Sequence, residues 1–181
     1  PAIHAEFAQQ TDQQVSYETC LAPLDGFAAT VRGLVDAGYR GANVTVPFKI
    51  EAAQLADTLT DRARAAGAVN TLIFKDGRIA GDNTDGAGLV NDILRNAGVA
   101  IAGKRVLLLG AGGAARGVML PLLEQNPAEL VIANRTLATA EKLASEFGSP
   151  SMRASEFAHL SGAFDIVINA TSASLAGDLP P

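Results

Sequence analysis

Phe27, Val31, Leu34 and Val35 fall at i, i+4, i+7 and i+8, the spacing that lines one face of a helix, and predict a helix from about Asp25 to Ala37 that Gly38 closes. The next segment, Gly41 to Val46, is short and rich in β-branched residues and reads as a buried strand ending at Pro47. Pro47 is suited to opening a helix, and that helix carries Lys49 in its first turn and runs to about Ala56. A shorter helix spans Asp61 to Ala66. Ala68 to Phe74 and Arg78 to Gly81 read as strands joined by the hairpin pair Asp76 and Gly77. After the loop GDNTDG comes a helix on which Leu89, Val90, Ile93 and Leu94 share a face.

From there the pattern becomes regular. Arg105 to Leu109 is a strand, Gly113 to Glu124 a helix, Leu130 to Ala133 a strand, Thr136 to Phe147 a helix with Leu137, Ala140, Leu143 and Ala144 inward, and Phe164 to Ile168 a strand. This alternation predicts βαβ units and a parallel sheet with helices on both faces. At the ends, Pro1 lies inside what reads as an amphipathic helix with no initiator Met, and Gly177, Asp178, Pro180 and Pro181 follow a strand, so both ends read as cuts in a longer chain.

The chain has 181 residues, 48% hydrophobic and 18% charged, enough apolar surface for a sizeable core and too much for a disordered chain. Its net charge of -5 is the wrong sign for broad contact with nucleic acid or anionic lipid. No apolar run approaches the roughly 18 residues of a membrane span, and the start lacks the pattern of a secretory signal. A single cysteine, Cys20, forms no intrachain disulfide and suits a reducing compartment, so a cytoplasmic protein is expected, with Cys20 a small buried residue near a strand. His4 and His159 lack metal-ligand spacing, and no metal site is expected. Neither a GxSxG elbow nor a GK[ST] loop occurs, which removes the common hydrolase and P-loop readings.

The chemistry concentrates in loops that follow strands. GAGGAARG, Gly110 to Gly117, sits between a strand and a helix, the context of a dinucleotide fingerprint. Gly110 permits the tight turn, Gly112 allows a pyrophosphate to approach, Ala115 takes the third glycine position, and the helix start offers free N–H groups and a positive dipole. A strand-to-helix turn with no ligand is the plain alternative. About two dozen residues on, where NAD-binding chains carry an acid for the ribose hydroxyl, stand Asn134, Arg135 and Thr136. An amide and a guanidinium suit a 2′-phosphate that a carboxylate would repel, so NADP is favoured over NAD; otherwise Arg135 is a solvated residue and Thr136 a simple cap. Lys49 at the end of a buried strand points into a cleft or merely into water. Asn70 and Thr71 lie within a strand, where structural hydrogen bonding is the ordinary explanation. Asp85 either caps the helix after GDNTDG or does chemistry.

NVTVPFK (Asn43 to Lys49), GAVNT (Gly67 to Thr71), GDNTDG (Gly81 to Gly86), GAGGAARG, NRT (Asn134 to Thr136) and NATS (Asn169 to Ser172) occur in one order, and together they resemble the shikimate dehydrogenases from Pro1 to Pro181. The resemblance implies an α/β fold: an N-terminal substrate-binding domain over 1–86 lacking its first strand, a linker helix over 87–102, and a Rossmann-like, doubly wound NADP-binding domain over 103–181 lacking its C-terminal part. It implies an oxidoreductase of the shikimate pathway of aromatic amino acid biosynthesis, a monomer or homodimer, that reduces 3-dehydroshikimate to shikimate with NADPH. A dehydrogenase using both quinate and shikimate, or a non-catalytic paralogue binding shikimate and NADP, would share the motifs. By the same resemblance Lys49 and Asp85 are the catalytic pair, and Thr45, Lys49, Asn70 and Asp85 hold the substrate. Gly110, Ala111, Gly112, Gly113 and Ala114 line the pyrophosphate, Asn134, Arg135 and Thr136 the 2′-phosphate, and Thr171 the nicotinamide region.

The chain departs from the family pattern in places. The two serines expected to grip the substrate carboxylate are absent, with Pro1 and His4 matching only the end of their segment. The elements expected after NATS are also absent. Thr139 stands where a second arginine often follows NRT, and Ser174 stands where a glycine is common.

Overall fold

A computed structural model describes residues 1–171. The expected features at Ser172, Ser174 and the final residues lie outside them. The elements run α1 (Ala2–Gln10), α2 (Phe27–Asp36), β1 (Gly41–Asn43), α3 (Lys49–Leu55), β2 (Thr58–Leu59), α4 (Asp61–Ala66), β3 (Thr71–Lys75), β4 (Arg78–Asp82), α5 (Asp85–Asn91), β5 (Arg105–Leu109), α6 (Gly113–Glu124), β6 (Glu129–Ala133), α7 (Leu137–Phe147), β7 (Met152–Ser155) and β8 (Ile166–Asn169).

The strands form two four-stranded sheets. In the first, ordered β1-β3-β4-β2, β3 and β4 are antiparallel across the Asp76–Gly77 turn, β1 is antiparallel to β3, and β2 is parallel to β4. Both turn residues have positive φ, 52° and 72°, the geometry that matches the twist of a two-residue hairpin. Phe27 and Val31 of α2 and Ala52 of α3 pack with Leu72, Phe74 and Ile79 to form the core of this half.

The second sheet is wholly parallel and ordered β7-β6-β5-β8. Alternate residues of its central strands face opposite ways. Val106, Leu108, Leu130 and Ile132 meet Met119 and Leu122 of α6 and Leu143 of α7, while Leu107, Leu109 and Val131 meet Phe157, Leu160 and Phe164. The chain leaves β5 toward β6 on one side and returns as β8 on the other, so the order reverses between β5 and β8. A crevice opens at the carboxyl ends of strands at such a point, and ligands of open α/β sheets sit there.

Several expectations need correction. β1 stops at Asn43 instead of Val46; Val44 still donates to the Asn70 carbonyl at 2.7 Å, but the chain then turns away, the Phe48 N–H donating to the Thr45 carbonyl at 3.0 Å. The strand expected from Ala68 begins at Thr71, since the Val69 N–H instead donates to the Lys49 carbonyl at 2.7 Å. The helix bearing Leu89 to Leu94 passes at Asp92 into a π-helical turn, whose wider winding leaves Leu94 exposed while Val90 is buried. The last strand runs Ile166–Asn169, shifted from Phe164 to Ile168. Helix α1 buries none of its residues, and Ile3 and Phe7 are exposed. Cys20 is exposed, the opposite of the expected burial. The short strands β2 and β7 have no signature in the sequence pattern.

Candidate active site

Lys49 is the first residue of α3, and the Val69 bond to its carbonyl fixes this helix start against the sheet. From there its side chain crosses to the loop that follows β4. The Lys49 ammonium donates to Asp85 Oδ2 at 2.6 Å, with side-chain exposures of 13% for the lysine and 27% for the aspartate. The pair is largely shielded, with the carboxylate the more exposed partner.

Asn70 holds the other oxygen of the carboxylate. Its Nδ2 donates to Asp85 Oδ1 at 2.7 Å and to Thr84 Oγ1 at 2.9 Å. Its Oδ1 in turn accepts from the Thr84 N–H at 3.0 Å and from the Thr71 hydroxyl at 2.8 Å. An amide whose oxygen takes two donors has one sensible orientation, so the NH2 group faces Asp85. Asp85 opens α5, but its carboxylate is spent on Lys49 and Asn70, so capping is not what this side chain does. Asn83, 2% exposed, accepts the Asp85 N–H at 3.1 Å and donates to the Ala68 carbonyl at 2.9 Å. The structural hydrogen bonding expected of Thr71 is present in its bond to Asn70, whereas Asn83 and Thr84 carry no expected role in the sequence; the signal available is their polar side chains immediately beside Asp85. Thr45 is exposed just beyond β1 and makes no side-chain hydrogen bond within the described residues.

Across the site stands the start of α6. Gly110 closes β5 with φ +99°, a conformation L side chains rarely adopt, and a Cβ there would lie 3.0 Å from the Ala170 carbonyl oxygen. Ala111 follows, and Gly112, the N-cap, has nothing within 4 Å of a Cβ position and supplies no side-chain capping bond, so no side chain among the described residues caps the start of α6. Gly113 and Ala114 form the first turn of the helix, and Gly113 lies against Lys49. Thr171 sits at the same crevice after β8, its N–H and hydroxyl both turned to Asn169 Oδ1 at 3.0 and 2.8 Å.

At the end of β6, Asn134 donates to the Thr136 carbonyl at 3.0 Å. Thr136 occupies the N-cap of α7 without a side-chain capping bond, and Arg135 is exposed with no ion pair among the described residues. A glycine turn at the start of a helix with no side-chain cap, and an exposed guanidinium with no ion pair among the described residues, are the kind of features that suit a dinucleotide carrying a 2′-phosphate. No cluster of three or more metal-ligating residues occurs among the described residues.

The Arg62–Asp82 ion pair supports the loop after β4 without entering the site. Arg62 bonds both carboxylate oxygens of Asp82, and Thr60 and the Asn83 N–H bond one of them. The Arg62 guanidinium is the main reason the Asp82 carboxyl is held at about 2, below its usual 3.8, against the opposing effect of burial. A cavity of 560 Å³ lined by Thr60, Arg62, Asn91, Pro121 and Gln125 opens nearby and holds none of the expected site residues.

Residues 1–72 match the family described as shikimate dehydrogenase substrate binding domain, and residues 92–176 match shikimate / quinate 5-dehydrogenase. The whole chain is 62% identical to a shikimate dehydrogenase (NADP(+)) of Janthinobacterium sp. (strain Marseille) and 64% identical to one of Herminiimonas arsenicoxydans, spanning 67% of each. The chain belongs to the shikimate dehydrogenase family. It therefore covers about two thirds of these dehydrogenases' length. Among solved structures, the chain matches an Ael1 enzyme from Pseudomonas putida with TM-score 0.89 and 50% identity, over all of this chain and 67% of that one. It also matches the shikimate 5-dehydrogenase of Thermus thermophilus, in complex with NADP(H) and shikimate, with TM-score 0.83 and 34% identity over 95% of this chain and 63% of that one.

Proposed function

We propose that this chain carries the catalytic apparatus of an NADP-dependent shikimate dehydrogenase, interconverting 3-dehydroshikimate and shikimate by hydride transfer. The observation that carries this reading is the shielded Lys49–Asp85 pair, 2.6 Å apart, with Lys49 packed against Gly113 in the first turn of α6. In this reading residues 1–86 hold substrate, 87–102 connect, and 103–181 hold nucleotide. The loop Gly110 to Ala114 would receive the pyrophosphate, Asn134, Arg135 and Thr136 the 2′-phosphate, and Thr171 would lie beside the nicotinamide. Thr45, Asn70, Lys49 and Asp85 would contact the substrate hydroxyls. The protein would work in the cytoplasm as a monomer or homodimer.

When bound, NADPH supplies the hydride; the protein supplies geometry and a proton. As the substrate ketone gains charge, the Lys49 ammonium donates to the developing alkoxide, an interaction stronger in the transition state than in the ground state. Asp85 holds the ammonium in place through Oδ2 and is itself held through Oδ1 by Asn70. In the reverse direction Lys49 starts as the neutral amine and takes the hydroxyl proton to become the ammonium that Asp85 holds.

The test is NADP reduction on adding shikimate, run with quinate alongside, in a version of the chain extended to its relatives' length. Turnover with shikimate supports the reading, comparable kcat/KM with quinate assigns dual specificity, and binding of both ligands without turnover makes the protein a non-catalytic paralogue.

A further inference from the structure

Gly110, Gly112 and Ala115 account for the dinucleotide fingerprint, and they leave Gly117, the last glycine of GAGGAARG, without a role. Gly113, Gly117 and Pro121 are spaced four apart and so share one face of α6. That face is not turned toward the parallel sheet, whose contacts come from Ala115, Met119 and Leu122. It meets the polar loop of the first half. A Cβ on Gly113 would lie 3.3 Å from Lys49 Cβ, and a Cβ on Gly117 would lie 2.9 Å from both Nδ2 and Oδ1 of Asn83. One turn further, a Cβ on Gly86, the residue after Asp85, would lie 2.6 Å from Pro121 Cγ. One helix face thus touches the catalytic lysine directly and the catalytic aspartate through nearby residues on either side of it.

We propose that this face of α6 sets the position of the Lys49–Asp85 pair, with Asn83 as the positioning residue that transmits it to Asp85. The proposal rests on the functional reading above. The Asn83 carboxamide is pinned on three sides: its oxygen takes the Asp85 N–H at 3.1 Å, its nitrogen donates to the Ala68 carbonyl at 2.9 Å, and the bare Cα of Gly117 lies against it. At 2% exposure the side chain has no route into solvent, so any pressure from α6 moves the Asp85 backbone or breaks one of those bonds. Because the same helix begins at the nucleotide loop, the hydride donor and the proton donor are registered against one rigid body.

Gly117→Ala tests this, in a version of the chain extended to the relatives' length. A displacement of the order of 1 Å at a reacting group costs up to about a hundredfold in rate, so kcat is expected to fall at least about tenfold while KM for NADP stays within about twofold. Gly88→Ala on α5 is the control, since a Cβ there meets nothing within 4 Å, and its kcat is expected to be unchanged. Asn83→Ser shortens the side chain while keeping an oxygen for the N–H two residues on, so in the Gly117→Ala background it should restore part of the lost kcat. A Gly117→Ala variant at wild-type kcat, or a double variant whose losses simply multiply, overturns the proposal. If Gly117→Ala does not fold, Asn83→Ser alone decides: a lower kcat with unchanged KM for NADP supports positioning, and an unchanged kcat refutes it. If the parent protein does not oxidise shikimate, the functional reading fails separately. The positioning claim is then judged from a crystal structure of Gly117→Ala, where an Asn83 that has not moved contradicts it.

Discussion

Replacing Lys49 with Met keeps most of the side-chain length and removes the charge and all three donors, which separates the lysine's chemical contribution from its structural one. In the folded protein the variant loses one charge-assisted bond of 2.6 Å between side chains exposed by 13% and 27%. Asp85 keeps its bond from Asn70 at 2.7 Å and some contact with water, so its carboxylate is not stranded. The stability cost is therefore about 1 kcal/mol, which lowers Tm by about 2–4 °C in a chain of this size. Loss of a positioned proton donor costs a factor of about 10²–10⁴ in kcat, or about 3–5 kcal/mol of transition-state stabilisation. A protein with about 5–15 kcal/mol of stability remains almost wholly folded after losing about 1 kcal/mol, so the larger effect cannot arise from unfolding. Initial rates of NADP reduction at saturating shikimate, beside a thermal melt, measure both. A kcat within about threefold of wild type with only KM raised would show that Lys49 binds substrate without taking part in proton transfer, and would refute the reasoning.

Arg135→Ala should remove most of a preference for NADP over NAD that is expected to be at least about tenfold, or about 1.4 kcal/mol; equal kcat/KM for the two cofactors in the parent would contradict the reading of NRT. Asp82 has a folded value of about 2 against 3.8, so its contribution to stability is fully present above about pH 4 and is lost as the pH falls toward 2. Discounted for solvent, since the Arg62 side chain is 41% exposed, that contribution is about 1 kcal/mol, and urea melts of Asp82→Asn should show a correspondingly flatter acid limb. Gly86→Ala should destabilise by about 1–3 kcal/mol in the same melts, because its Cβ would collide with Pro121 and the Gly117 carbonyl; a neutral effect would mean that α5 and α6 separate easily.

The second half is largely legible because strand, glycine turn and helix boundaries all coincide with changes of hydrophobic period, and β5, α6 and α7 lie at the expected positions. β7 is hidden because Met152–Ser155 carries no run of β-branched residues and owes its pairing to β6. The two-residue strand β2 is likewise made by its partner β4. Burial of Cys20 is the natural expectation for a small apolar residue, yet residues 11–24 follow a helix that itself buries nothing. The site is visible in the sequence as motifs, but not as a network. That Asn70 grips Asp85 and that Asn83 is wedged between Asp85 and Gly117 are facts of three-dimensional approach, between residues 15 and 34 positions apart, which periodicity does not encode.

Hydride transfer between a carbinol carbon of shikimate and NADP, beside the Lys49–Asp85 pair, is the central claim. Shikimate carrying deuterium at the carbinol carbon that becomes the ketone tests it directly, with mass spectrometry of the reduced nucleotide as the readout. The expected result is one deuterium in the NADPH formed, and a turnover rate that collapses in Lys49→Met without loss of nucleotide binding. Unlabelled NADPH, no NADPH at all, or an undiminished rate in the Lys49 variant would contradict it.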